Sequence, residues 1–154
     1  MRQIDDEFAN LYEKIGASFG MDRLLMRVFA LTYIEPGEIS LDDLATKTGY
    51  SLASISNKAK TLESMGLAEK RSKPGTRKVY LFVKKDFGSM IKEYLIRKES
   101  MHISLVKKQI PLILQDYHPR TAKDKQKMKI LRDYYEQMLR FERLIKDILK
   151  RIDT

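Results

Sequence analysis

Residues 51–61, SLASISNKAKT, set hydroxyl, amide and ammonium side chains among apolar residues spaced as on one face of a helix. Leu52, Ile55, Ala59 and Leu62 recur at intervals of three and four and are expected to face a core. Ser51, Ala53, Ser54, Asn57, Lys58, Lys60 and Thr61 are then turned outward. An asparagine amide can bond adenine N6 and N7 together, a lysine ammonium can donate to guanine O6 or N7, and a serine hydroxyl suits either base. Small residues at a helix start let the backbone amides approach a phosphate. The chemistry implied is hydrogen-bond reading of a DNA duplex, with Asn57 and Lys58 reading bases. An ordinary solvated helix face has the same polarity, and the residues downstream of the helix separate the two.

Those residues carry a second group of cations. Residues 67–73 read as a strand with a polar face. Pro74-Gly75-Thr76-Arg77 is a turn, and in residues 78–83 Val79, Leu81 and Val83 alternate with Tyr80 and Phe82. The hairpin so formed carries Lys73, Arg77 and Lys78 at its tip with Lys70 and Arg71 behind them, placing Arg77 to enter a minor groove or to clamp a phosphate. Of the net charge of +9, residues 1–39 contribute four Lys/Arg against seven Asp/Glu, residues 40–85 ten against four, and residues 86–154 sixteen against ten. Positive charge is densest where the hairpin and helix lie, as a nucleic-acid partner requires.

The elements that hold these side chains can be traced outward. Ser40 and Asp43 form a capping box that starts a helix burying Leu41, Leu44 and Ala45, and Gly49 ends it. Ser51 caps the next helix and Gly66 closes it. Residues 38–40 form a short extended piece suited to pair with the hairpin as a third strand. Upstream, Ile4, Phe8, Leu11, Tyr12, Ile15 and Phe19 make one helical stripe, and Asp22 caps a second, largely apolar helix that Glu35-Pro36-Gly37 terminates.

Downstream, Asp86 caps a long helix in which Pro111 is expected to produce a kink or an end. A final helix over residues 121–152 carries Met128, Leu131, Tyr135, Met138, Phe141, Ile145, Ile148 and Ile152 at steps of three and four residues. A stripe of that length exceeds the partner surface expected within one chain. Phe8, Leu11, Tyr12, Tyr135, Met138, Phe141, Ile145 and Ile148 are therefore expected at a homodimer interface, the alternative being a helical hairpin within the chain.

The order of capped helix, G-Y-S-x-x-S-I-S from Gly49, L-x-x-x-G-L from Leu62 and P-G-x-R-K-x-Y from Pro74 resembles the MarR-type winged helix-turn-helix, in particular its GbsR-like branch. That resemblance implies a mainly α fold with a small β-wing. It divides the chain into N-terminal helices (1–39), a DNA-binding winged region (40–85) and C-terminal dimerisation helices (86–154). It further implies a homodimeric transcription regulator, often a repressor, whose two recognition helices enter successive major grooves of a pseudo-palindromic operator. Members of the branch that sense choline-like cations would use an aromatic cage, for which Tyr33, Tyr94, Tyr117, Tyr134 and Tyr135 are the candidates as a small-molecule effector site.

Other classes are disfavoured. There is no cysteine for disulfides, thiolate metal sites or thiol nucleophiles, and His102 and His118 lack metal-ligand spacing. No cofactor or catalytic motif is present, so an enzyme is not expected. No apolar run approaches the roughly 18–20 residues that span a bilayer, so no membrane partner and a cytoplasmic location are expected. A winged-helix protein-interaction scaffold is the competing reading, and the basic recognition helix argues against it.

Overall fold

The computed structural model describes residues 3–152. They form α1 (Ile4–Ser18), α2 (Arg23–Ile34), β1 (Ile39–Ser40), α3 (Leu41–Thr48), α4 (Leu52–Ser64), β2 (Glu69–Ser72), β3 (Val79–Phe82), α5 (Phe87–Asp116) and α6 (Ala122–Ile152). The chain divides into two units after Tyr94.

The first unit is a winged helix-turn-helix whose helix starts are fixed by short oxygen acceptors. Asp22 Oδ1 accepts from the Leu25 amide at 2.7 Å, Ser40 Oγ from Asp43 at 3.0 Å and Ser51 Oγ from Ser54 at 3.1 Å. Each satisfies an amide with no partner inside its helix, a contribution of about 1 kcal/mol. These are the caps expected from the sequence. Between α3 and α4, Gly49 adopts φ +73° and its amide donates to the Ala45 carbonyl at 2.9 Å, which stops α3 and redirects the chain.

Val28, Leu44, Ile55, Leu62 and Leu81 are almost fully buried in one cluster, which Ala9 of α1 and Met90 at the start of α5 also join. Burial of each such side chain stabilises by roughly 1.5–3 kcal/mol. The strands run antiparallel in the order β1-β3-β2, with Ile39 opposite Leu81 and Arg71 opposite Tyr80. Residues 38–40 therefore do supply the third strand, as Ile39–Ser40. Gly16 is buried in α1, where an added Cβ would overlap Met26 Cγ of α2. Its role is close helix packing.

Two expectations change in this unit. Leu52 lies on the apolar phase of α4 but is 48% exposed, because it opens the helix and the core begins only at Ile55. Phe8 and Tyr12, expected between chains, are half-buried within this one: ring centroids lie 4.9 Å apart for Phe8–Tyr12, 5.3 Å for Tyr12–Phe29 and 5.9 Å for Phe29–Tyr33. The buried positions Ala9 and Gly16 turn α1 so that Phe8 and Tyr12 face inward, while Ile4, Leu11 and Ile15 remain exposed.

The second unit is a helical hairpin. Ile103, Val106 and Ile110 of α5 are buried with Met138 of α6, and Leu114, Leu131 and Tyr135 pack against them. Lys107 Nζ meets Glu142 Oε2 at 3.4 Å across the pair. Tyr135 and Met138, expected between chains, are thus part of an intrachain core, and α5 supplies much of the partner surface that the stripe of α6 requires. Pro111 does not end α5, which continues to Asp116. Position 111 is exposed, so the carbonyl deprived of an amide partner can bond water instead. Thr121 and Asp124 open α6 with reciprocal bonds: the Asp124 amide donates to Thr121 Oγ1 at 3.1 Å and the Thr121 amide to Asp124 Oδ2 at 3.2 Å.

Candidate nucleic-acid interface

Ile55, Ala59 and Leu62 seat α4 on the core, and the opposite side carries Ala53, Asn57, Lys60 and Thr61, all exposed. Ser51 Oγ donates to Ser54 Oγ at 3.0 Å, which leaves the Ser54 hydroxyl proton available. Thr61 Oγ1 donates to the Asn57 carbonyl at 3.2 Å, so its proton is used within the helix. The Asn57 amide has both a donor and an acceptor to offer and makes no side-chain hydrogen bond among the described residues.

Lys58 is placed differently from the expectation. Its Nζ lies 3.2 Å from Asp22 Oδ1, and its side chain is largely covered. No spacing in the sequence announces this pair, because Asp22 caps α2 and α4 packs on that helix only in the folded chain. The Leu25 amide, and then Lys58, hold the Asp22 carboxyl below the ordinary carboxylate range. A depressed folded pKa contributes stability that is complete above the unfolded value of about 4 and disappears as pH falls through the lower folded value. Asp22→Asn, which keeps the capping oxygen, is therefore expected to remove part of the acid-induced loss of stability below about pH 4, measured as the difference in Tm between neutral and acidic buffer.

The wing separates its cations into two groups. Lys70 Nζ is 3.7 Å from Glu63, Arg71 lies 3.4 Å from Glu69 and 3.8 Å from Glu38, and Lys73 Nζ is 2.8 Å from Glu38 Oε1. The Arg71 guanidinium also stacks 3.7 Å from the Phe82 ring centroid and the Lys73 ammonium 4.3 Å from that of Tyr80. Lys60, Arg77 and Lys78 are exposed with no carboxylate partner among the described residues. Of the wing residues expected to touch DNA, Arg77 and Lys78 are thus unengaged and Lys73 is tied to the fold. The sequence gives no sign of the part Glu38 plays, offers Tyr50 only within a motif and places Leu52 in the core, whereas Tyr50 and Leu52 are 53% and 48% exposed at the start of α4. An exposed apolar residue there can meet a thymine methyl.

Lys85 closes the unit. Its ammonium donates to the Thr32 carbonyl at 2.9 Å near the end of α2 and lies 5.5 Å from the Tyr33 ring centroid, and burial lowers its pKa. Tyr33, a candidate for an aromatic cage, is therefore already beside a cation of the chain. Tyr134 meets His102 Nε2 at 3.4 Å and Tyr135 packs in the hairpin core. Tyr117 lines a cavity of about 180 Å³ with Ile113, Leu114, Lys127, Met128 and Leu131. Among the described residues no cluster of acidic and histidine side chains could hold a metal ion, and no helix is long and apolar enough to cross a membrane.

No protein-family model matches the chain, and no curated protein sequence does. Among solved structures, one described as a transcriptional regulator has 22% identity over 98% of this chain and 99% of its own, with a TM-score of 0.75. A structure of MarR covers 85% of this chain and 90% of its own at 21% identity and a TM-score of 0.43. A multiple antibiotic-resistance repressor (MarR) from Listeria monocytogenes covers 89% and 86% at 22% identity, with a TM-score of 0.40. The first of these likenesses is one of fold and extends over nearly the whole chain.

Proposed function

We propose that this chain is a sequence-specific, double-stranded-DNA-binding transcriptional regulator that acts in the cytoplasm as a homodimer. The observation that carries the reading is the outward face of α4, where Ser54, Asn57 and Lys60 stand on a helix locked to the core by Ile55, Ala59 and Leu62, beside a wing on which Arg77 and Lys78 have no carboxylate partner among the described residues. The fold it shares with a structure described as a transcriptional regulator supports the same conclusion. Asn57 is assigned base reading, Ser51 and Ser54 the close approach of the helix start, and Lys60, Arg77 and Lys78 the phosphates. Lys58 and Lys73 are reassigned to holding the reader together. Exposed Leu11 and the outer apolar residues of α6 support assembly with a second copy, and occupation of a pseudo-palindromic site by such a dimer represses by excluding other proteins. The wing motif P-G-x-R-K-x-Y supports placement in the GbsR-like branch.

Selection of bound fragments from random duplexes tests the reading. It should return a dyad-symmetric site with half-sites about one helical turn apart. Asn57→Ala should lose about 1–3 kcal/mol of discrimination at a single base pair of each half-site, whereas Arg77→Ala should weaken all duplexes alike and flatten the salt dependence by about 0.9 in log K against log salt per wing. Uniform loss in both variants would remove Asn57 from base reading. Failure of the unmodified chain to bind any duplex at low salt would overturn the proposal.

A further inference from the structure

We propose that Glu38 is an internal competitor of DNA phosphate: it holds Arg71 and Lys73 across the sheet and so sets the electrostatic part of the affinity. The inference rests on the DNA-binding reading and concerns a residue outside the recognition helix.

The topology makes this possible. β1 and β2 flank β3 on opposite edges, and the register puts Arg71 directly opposite Tyr80. Leu81 faces inward, fully buried, so Tyr80 and Phe82 point to the outer face. Glu38 immediately precedes Ile39, the partner of Leu81, and therefore falls beside Phe82 on that outer face. Arg71 and Lys73, from the far edge, lie over the Phe82 and Tyr80 rings and reach Glu38 at 3.8 and 2.8 Å. Two cations are thus laid flat across β3: Lys73 ends on Glu38, and Arg71 is shared between Glu38 and, at 3.4 Å, Glu69 of its own strand. The bond from Lys73 holds the Glu38 carboxyl below its ordinary range, and Glu38 raises the Lys73 ammonium in return, so the pair remains charged at neutral pH.

A cation contributes to DNA affinity by displacing counterions from phosphate, a sequence-independent gain that grows as salt falls. A cation already neutralised by a carboxylate must first give up that partner, and the gain shrinks accordingly. Arg77 and Lys78 have no carboxylate partner among the described residues to give up. The strap therefore withholds the phosphate contact of Lys73 from every duplex, selected or random, while Arg71 is held back by Glu69 as well as Glu38.

The test measures affinity for a random duplex, and for the selected site, over a series of salt concentrations. Glu38→Gln removes the charge and keeps the shape. It should free Lys73, since Arg71 keeps Glu69, steepening the slope of log K against log salt by about 0.9 per bound chain and tightening both duplexes by the same factor, roughly fivefold or more at 0.1 M salt. Lys73→Gln with Glu38 intact should leave the slope unchanged, because Lys73 is already neutralised; combined with Glu38→Gln it should cancel most of the gain. A slope unchanged in Glu38→Gln, or a weaker affinity as expected of a residue that merely positions the wing, would overturn the inference while leaving the DNA-binding reading in place. A slope that falls by about 0.9 in Lys73→Gln alone would also overturn it, and this arm needs no change at Glu38. Absence of duplex binding by the unmodified chain overturns both readings together.

Discussion

Ile55→Ala should destabilise the first unit by about 2–5 kcal/mol, whereas Asn57→Ala, two positions along the same helix, should change stability by less than about 0.5 kcal/mol. The two side chains have opposite surroundings. Ile55 is completely buried among Leu44, Leu62 and Leu81, and its truncation leaves a cavity that α4 cannot close without leaving α3 and the sheet. Asn57 is exposed on the side of the helix turned away from the core. Because a domain of this size is stable by only about 5–15 kcal/mol, the first change removes a large share of the total. Loss of DNA binding in Ile55→Ala should then be recovered at low temperature, where the folded fraction returns, while altered sequence preference in Asn57→Ala should persist at every temperature. Denaturant unfolding with an unchanged m-value checks the first part. A shift below about 1 kcal/mol for Ile55→Ala would mean that α4 is not seated on the core as described.

Much of this arrangement is legible from local chemistry. Ser40, Ser51 and Asp22 reveal helix starts because a cap needs only a short oxygen acceptor and an amide three residues ahead, and Gly49 reveals a stop because α3 ends in a left-handed residue. The short strand beside the wing is readable for the same reason, being bounded by a turn and a cap. Periodicity reports the phase of a side chain around a helix and not its depth. Leu52 has the right phase and no core beneath it, and the stripe of α1 is wide enough that the choice between Phe8 with Tyr12 and Leu11 with Ile15 depends on where α2 lies.

Charge pairing is the least readable layer. Lys58 meets Asp22 and Lys73 meets Glu38 over separations of more than thirty residues, and no pattern in sequence joins such partners before the chain has folded. Lysine-rich segments therefore read as uniformly available. The fold divides them into cations that bind the protein to itself and cations left for a partner. On α6 the difference has the opposite sense: periodicity assigns a single stripe to one partner, although two adjoining faces are apolar and α5 covers only one.

The remaining face of α6 underlies the second large effect. Ile130, Tyr134, Phe141, Leu144, Ile148 and Ile152 are 38–67% exposed and recur at steps of three, four and seven residues, the spacing of a helix seam. The hairpin core formed by Met138 with Ile103, Val106 and Ile110 does not involve them. Phe141→Glu combined with Ile148→Glu should therefore leave the helical content intact and convert the proposed homodimer to monomers, the dissociation constant rising about a thousandfold or more if each residue carries about 2 kcal/mol of the interface. Sedimentation at micromolar concentration reads the mass directly, and circular dichroism confirms that the hairpin persists. Affinity for a pseudo-palindromic site should fall by about 10²–10⁴, since each half-site is then bound without the other, while binding to an isolated half-site should not change. That contrast separates assembly from reading. An unmodified chain that sediments as a monomer, or a double variant that keeps the mass of the unmodified protein, would show that this face of α6 is not where two copies meet, and the apolar residues of α1 around Leu11 would then be the face to test.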